Sequence, residues 1–308
     1  MKKIIGYIAT YIREDLNKKA LVAVMLFVGL LTWVNYHYSF EENYIKTDVD
    51  SQSRFLKYLA MYGLAYGVAW LLVAAFDYKD KRLRSPKLWL LILFAVVLFA
   101  GRAWYFREAY HVYNWVAPEY QNITYKCIAN LVGFVFMFVP VFIYWLFVDR
   151  KEMPPYGFHA KGVDLKPYFG LILLMVPLLL WAGRQPDFLS VYPRCYYLHL
   201  PDNMPHKSWY TFLYEVCYSW DYVVTEFFFR GFLILGFARY AGPKVILPMC
   251  AFYVSIHFDK PLGESISSFF GGYLLGILAY RTKSIYGGVI VHLGIALLME
   301  VVGLMFHP

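Results

Sequence analysis

The sequence predicts an all-α, polytopic helical membrane protein with eight or nine transmembrane helices and a catalytic-type core in the last four. Three observations carry that reading. Of the 308 residues, 60% are hydrophobic and 16% charged, against about 25% charged in an ordinary soluble domain. Mean hydropathy is +0.46. Apolar runs recur at 20–38, 56–76, 88–106, 128–148, 168–184, 210–237, 245–258, 265–281 and 286–306, and roughly 20 residues suffice to cross the hydrocarbon core of a bilayer.

Taken in order, the N-terminal MKKIIGYIATYIREDLNKKA is charged and periodic. It lacks the short apolar core and small-residue cleavage site of a secretory signal, so it reads as an amphipathic helix at the membrane surface. The run 168–184 is slightly short for a span. The run 245–258 has the length of a buried or re-entrant helix. The loop 185–209 is long, aromatic and proline-bearing, and is expected to cap the helix ends. With the N-terminus cytoplasmic, 18 of the 29 Lys and Arg residues fall in cytoplasmic segments and 9 on the other side. That bias orients the chain in an integral, plasma (inner) membrane location, N-terminus cytoplasmic. The net charge of +8 is spread between apolar runs, which argues against nucleic acid as a partner. Four cysteines form no CxxC pair. Cys217 and Cys250 read as small hydrophobes, and Cys127 and Cys195 could pair only on an oxidising side. The chain divides near 209, into N-terminal membrane helices (1–209) and a core that gathers the intramembrane polar residues (210–308).

Within TEFFFR, Glu226 and Arg230 stand four residues apart in a run that otherwise looks like membrane. On an α-helix, Glu215, Tyr222, Glu226 and Arg230 share one stripe about 80° wide. Asp221 and Thr225 make a second face. Ionisable groups in a membrane helix are costly and normally face the bundle interior, where they serve either as a structural ion pair or in chemistry. His257, with Tyr253 one turn earlier, and His292, with Ala296 one turn later, lie on separate runs. A carboxylate and a histidine are the minimum set for activating a water, and a second histidine can donate to a developing oxyanion. The spacing is not HExxH, so a metal-free site is favoured over a divalent Glu/His/His site drawn from three helices. Ser268, Gly272 and Gly276 repeat at four-residue spacing, a face that permits close helix approach. Asp259, Lys260 and Glu264 read as a helix cap or a site entrance. Glu300 has no evident partner. In a nine-span arrangement His257 falls toward the outer end of its run and His292 toward the inner end, so a shared site requires the short run to begin deep.

The order and spacing of these residues resemble the CPBP family, the type II CAAX prenyl endopeptidases and bacteriocin-processing (ABI, lysostaphin-resistance-A-like) membrane proteins. Its pattern is EExxxR, FxxxH and HxxxN on successive helices. Here these read Thr225-Glu226…Arg230, Tyr253…His257 and His292…Ala296, within roughly 210–300. The resemblance implies an intramembrane protease in which a glutamate and the first histidine activate water, while the second histidine and the asparagine hold the oxyanion. Glu226, Arg230, His257 and His292 match residue by residue. The first glutamate is Thr225 here and the asparagine is Ala296. Glu226 could serve as base after a helix rotation, or Asp221 could reach from one turn above Thr225. Alternatively hydrolysis is weakened or lost and the fold serves immunity or scaffolding. The expected partners are membrane lipid and a peptide or lipid-anchored protein substrate. A transporter is a weaker reading, because the two halves show no repeat.

Overall fold

The computed structural model describes residues 2–159 and 163–307, and among them the chain forms helices and turns without a β-strand. We number ten helices: α1 (Lys2–Glu14), α2 (Lys18–Tyr38), α3 (Ser51–Phe76), α4 (Pro86–Glu108), α5 (Pro118–Asp149), α6 (Lys166–Ala182), α7 (Lys207–Glu226, continuing to Gly236), α8 (Ile246–Ser255), α9 (Leu262–Thr282) and α10 (Tyr286–Phe306). Local sequence sets the boundaries. The Asn17 side chain accepts the Lys19 and Ala20 N–H groups to open α2, and Asp50 accepts the Ser53 N–H to open α3. These side chains satisfy amide donors that a helix start leaves unpaired. Pro86, Pro118 and Pro167 stand in first turns, where a missing N–H costs nothing.

Among the described residues, six helices are long and apolar enough to cross a membrane, or up to seven if the pair Lys166–Ala182 and Pro186–Leu198, bent by 99°, counts as one span. The expected eight or nine included two segments that fall outside that count. The α7 rod has the length but carries the polar stripe, and α8 has only 10 residues. Both nevertheless run between the same two polar ends as their neighbours. One end is tied by Arg281–Asp15 (2.5 Å), Lys244–Asp80 (2.8 Å) and Arg239–Asp149. The other is tied by Arg54–Glu108, Lys46–Asp259 (3.8 Å) and Tyr192–Glu264.

Beyond Glu226 the helix widens into a π-helix, Phe227–Gly236, every residue of which is buried. Its phenylalanines meet Phe99 of α4 and Phe252 of α8 edge-on or tilted. This aromatic core draws on α3 as well, through Tyr62 and Tyr66. The small-residue face of α9 receives its neighbours closely. A Cβ at Gly272 would stand 3.0 Å from the Tyr253 ring, and one at Gly276 would stand 3.0 Å from Met249 and 3.1 Å from Ile234. Tyr253 therefore lies level with the middle of α9. The loop after α6 does act as a cover: Phe188 and Tyr192 pack with Leu179, Met299 and Val302 at the ends of α6 and α10. All four cysteines are free.

Candidate active site

Glu226 ends the α-helical part of α7 and is fully buried, as is Arg230. Arg230 Nη1 lies 3.0 Å from Glu226 Oε1, in the acid-before-base order that helices favour. The approach is close but not aligned as a hydrogen bond, and the guanidinium nitrogens have no hydrogen-bond partner. Instead the guanidinium lies on the face of Tyr253, 4.2 Å from the ring centre. His292, in the second turn of α10, brings Nδ1 to 2.9 Å from the same carboxylate oxygen. Its Nε2 stands 3.1 Å from the Tyr253 hydroxyl. Tyr222, one turn before Glu226, meets the His292 ring edge-on at 4.6 Å and donates to the Tyr218 hydroxyl at 2.6 Å. Glu226, His292 and Tyr253 thus form one hydrogen-bonded chain across α7, α10 and α8.

His257 stands on the other side of Tyr253, with ring centres 4.7 Å apart. It lies in the turn after α8 and its Nδ1 is 2.7 Å from the Tyr253 carbonyl. A carbonyl only accepts, so this nitrogen carries the proton and Nε2 presents a lone pair. The turn is held from far along the chain. Asn35 of α2 donates to the Phe258 carbonyl at 2.9 Å, and Tyr36 donates to the Lys260 carbonyl at 2.6 Å. Asn35 also accepts the Glu41 N–H at 3.0 Å. Glu41, just beyond α2, is buried, and burial together with the nearby Asp259 charge pushes its carboxyl up to about 8.

The structure thus gathers Glu226, Arg230, His292 and Tyr253, with His257 one aromatic ring away. It separates the other candidates. Asp221 faces α4, where Arg102 Nη2 lies 2.5 Å from it, so it is committed to an ion pair and not turned to the histidines. Thr225 is buried beside Glu226, at 7% exposure. Ala296 is buried and offers no donor. Glu300 does have partners: its carboxylate accepts the N–H groups of Arg194 (2.9 Å) and Cys195 (3.3 Å). The Asp259–Glu264 segment is not a cap, because α9 opens on Pro261 without a side-chain cap. A trio of metal-type ligands, Cys195, Glu215 and Glu300, has its ligand atoms within 4.8 Å of one another. It lies nearer the loop 185–209 and excludes Glu226 and both histidines.

Sequence reasoning missed two contributors. Gly288 is the first: a Cβ there would stand 2.2 Å from Glu226 Oε2, so only glycine lets α10 close on the carboxylate. The signal was available, since Gly288 precedes His292 by four residues and shares its helix face. The second is Asn35, an amide inside an apolar run whose partner, 223 residues away, nothing in the pattern discloses.

A hydrogen-bonded acid–imidazole–hydroxyl chain thus lies inside a helical membrane bundle. Residues 198–298, about a third of the chain, match the family model described as Type II CAAX prenyl endopeptidase Rce1-like. This segment is similar to Rce1-like domains, and the match supports the resemblance to the CPBP family read from the motifs. No curated protein and no solved structure matches the chain.

Proposed function

We propose that this protein is an intramembrane endopeptidase of the CPBP/CAAX type, hydrolysing a peptide bond in a membrane-associated substrate. The observation that carries this reading is the placement of His292 between Glu226 and Tyr253, with the free Nε2 of His257 beside them. In the reading, His257 Nε2 takes a proton from water, and the hydroxide oxygen attacks the scissile carbonyl. Glu226 fixes the tautomer and orientation of His292, the role a carboxylate plays toward a catalytic imidazole. Arg230 offsets the carboxylate charge. The complete burial of Glu226 favours this positioning role over direct contact with water. Both nitrogens of His292 are engaged, which supports a metal-free reaction.

An apolar groove of about 620 Å³ runs between α2 and α9, bordered by Met25, Trp33, Val254, Ile266 and Phe270. Val254 adjoins Tyr253, so an apolar or lipid-anchored chain seated there would end near the histidines. We take 210–308 as the catalytic core and 1–209 as its housing, with the N-terminus cytoplasmic. The test is cleavage of a membrane-anchored, fluorescence-quenched peptide by protein in proteoliposomes. Glu226→Ala, His257→Ala and His292→Ala should each lower kcat at least about 100-fold, while Asp221→Asn and a chelator leave it within threefold. Cleavage that survives the first three substitutions would end this reading.

A second reading is supported by Thr225 and Ala296, which stand where the family keeps a glutamate and an asparagine. In it, the protein is a non-hydrolytic relative acting in immunity or as a scaffold. Wild-type turnover in the same assay excludes it.

A further inference from the structure

We propose that the Tyr253 hydroxyl is a catalytic residue of this chain: the hydrogen-bond donor that holds the carbonyl oxygen as it gains negative charge. The inference rests on the peptidase reading above. Tyr253 is 4% exposed in an aromatic core, where phenylalanine would pack equally well and a hydroxyl must find a partner. Its partner is His292 Nε2, and His292 in turn meets Glu226.

A hydroxyl both accepts and donates, and its proton rotates to suit. Glu226 holds the Nδ1 proton; when Nε2 is protonated as well, His292 is an imidazolium balanced by that carboxylate and donates to the Tyr253 oxygen, which frees the hydroxyl proton to point at a substrate carbonyl. Two neighbours strengthen it as a donor. The Arg230 guanidinium lies on the ring face, and the hydrogen-bonded imidazole polarises the O–H bond, as successive members of such a chain do. Ala296, one turn beyond His292, supplies no donor, so the donor of this site comes from α8 instead of α10.

The step balances without a redox partner. Water oxygen bonds to the carbonyl carbon, and the π pair moves to oxygen, which accepts from Tyr253. The water proton goes to His257 Nε2. Collapse breaks the C–N bond, its electron pair leaves with nitrogen, and His257 returns the proton to the amine.

The experiment compares wild type, Tyr253→Phe, Ala296→Asn and the double variant in the proteoliposome assay, with thermal midpoints measured alongside. Tyr253→Phe should lower kcat by about 100- to 1000-fold, the usual loss of one oxyanion donor, with KM within twofold and an unchanged midpoint. Adding Ala296→Asn to it should recover at least tenfold. A kcat within threefold of wild type, or a loss matched by a fallen midpoint and not recovered by asparagine, overturns the proposal. Wild-type turnover no greater than that of Glu226→Ala fails the peptidase reading and this inference together. An active wild type with an indifferent Tyr253→Phe fails this inference alone.

Discussion

Two acids of α7, Asp221 and Glu226, pair with arginines in unlike ways. Asp221 pairs with Arg102 across to α4, at 2.5 Å, with both side chains partly exposed at 17% and 18%. Glu226 pairs with Arg230 on its own helix, with both side chains at 0%. The first pair joins two helices, although Asp221 Oδ1 and Arg102 Nε are themselves left without a partner. The second lies within α7 and reaches other helices only through His292 and Tyr253. Its carboxylate is shared with His292, one carboxylate oxygen is unbonded, and its arginine leans on a tyrosine ring. Fully buried ions with unspent hydrogen-bonding capacity are expensive. The two pairs therefore differ in burial and in reach, not in whether hydrogen-bonding capacity is left over.

Charge removal tests the contrast most strongly. Arg230→Met strands a buried carboxylate and should destabilise the protein by about 3–5 kcal/mol. Arg102→Met strands a less buried carboxylate and should cost about 1–2 kcal/mol. Denaturant midpoints in one detergent measure both. Equal losses would erase the distinction between the pairs. Next comes Gly288→Ala, which forces a methyl group against Glu226 Oε2. It should cost about 1–3 kcal/mol as overpacking and displace the carboxylate from His292, while an alanine at Gly271, where a Cβ meets nothing within 4 Å, should leave activity unchanged. A separate test concerns an acid outside the spans. Glu41 binds its proton more tightly folded than unfolded, so its contribution is complete below the ordinary glutamate range and is lost as pH rises toward about 8. Thermal midpoints should fall across that window, with a slope of at most about 1.4 kcal/mol per pH unit. Glu41→Gln should flatten the fall.

The helical membrane fold was legible because apolar runs of spanning length need only composition to be recognised. The partnership of Glu226 with Arg230 was legible too, because residues four apart must meet on a helix. His257 and His292 looked incompatible in depth, and spacing alone could not have joined them. Packing did, by setting Tyr253, one turn before His257, against Gly272 at the middle of α9 and against His292. Asp221 was misjudged as a possible base because Arg102 sits 119 residues away, and helix periodicity carries no information on which distant cation a side chain will meet. The widening after Glu226 was also hidden, since TEFFFRGFLILG has no composition that separates a π-helix from an α-helix.

The hold of α2 on the turn bearing His257 bears on how the protein can be cut down. The recognisable family segment begins at 198, yet Asn35 and Tyr36 grip the backbone of Phe258 and Lys260. A fragment trimmed to the recognised boundaries would keep every matched motif residue and lose the hand that holds one of them in place. The matched motifs fall within one segment of sequence, but the contacts that hold the His257 turn extend back to α2.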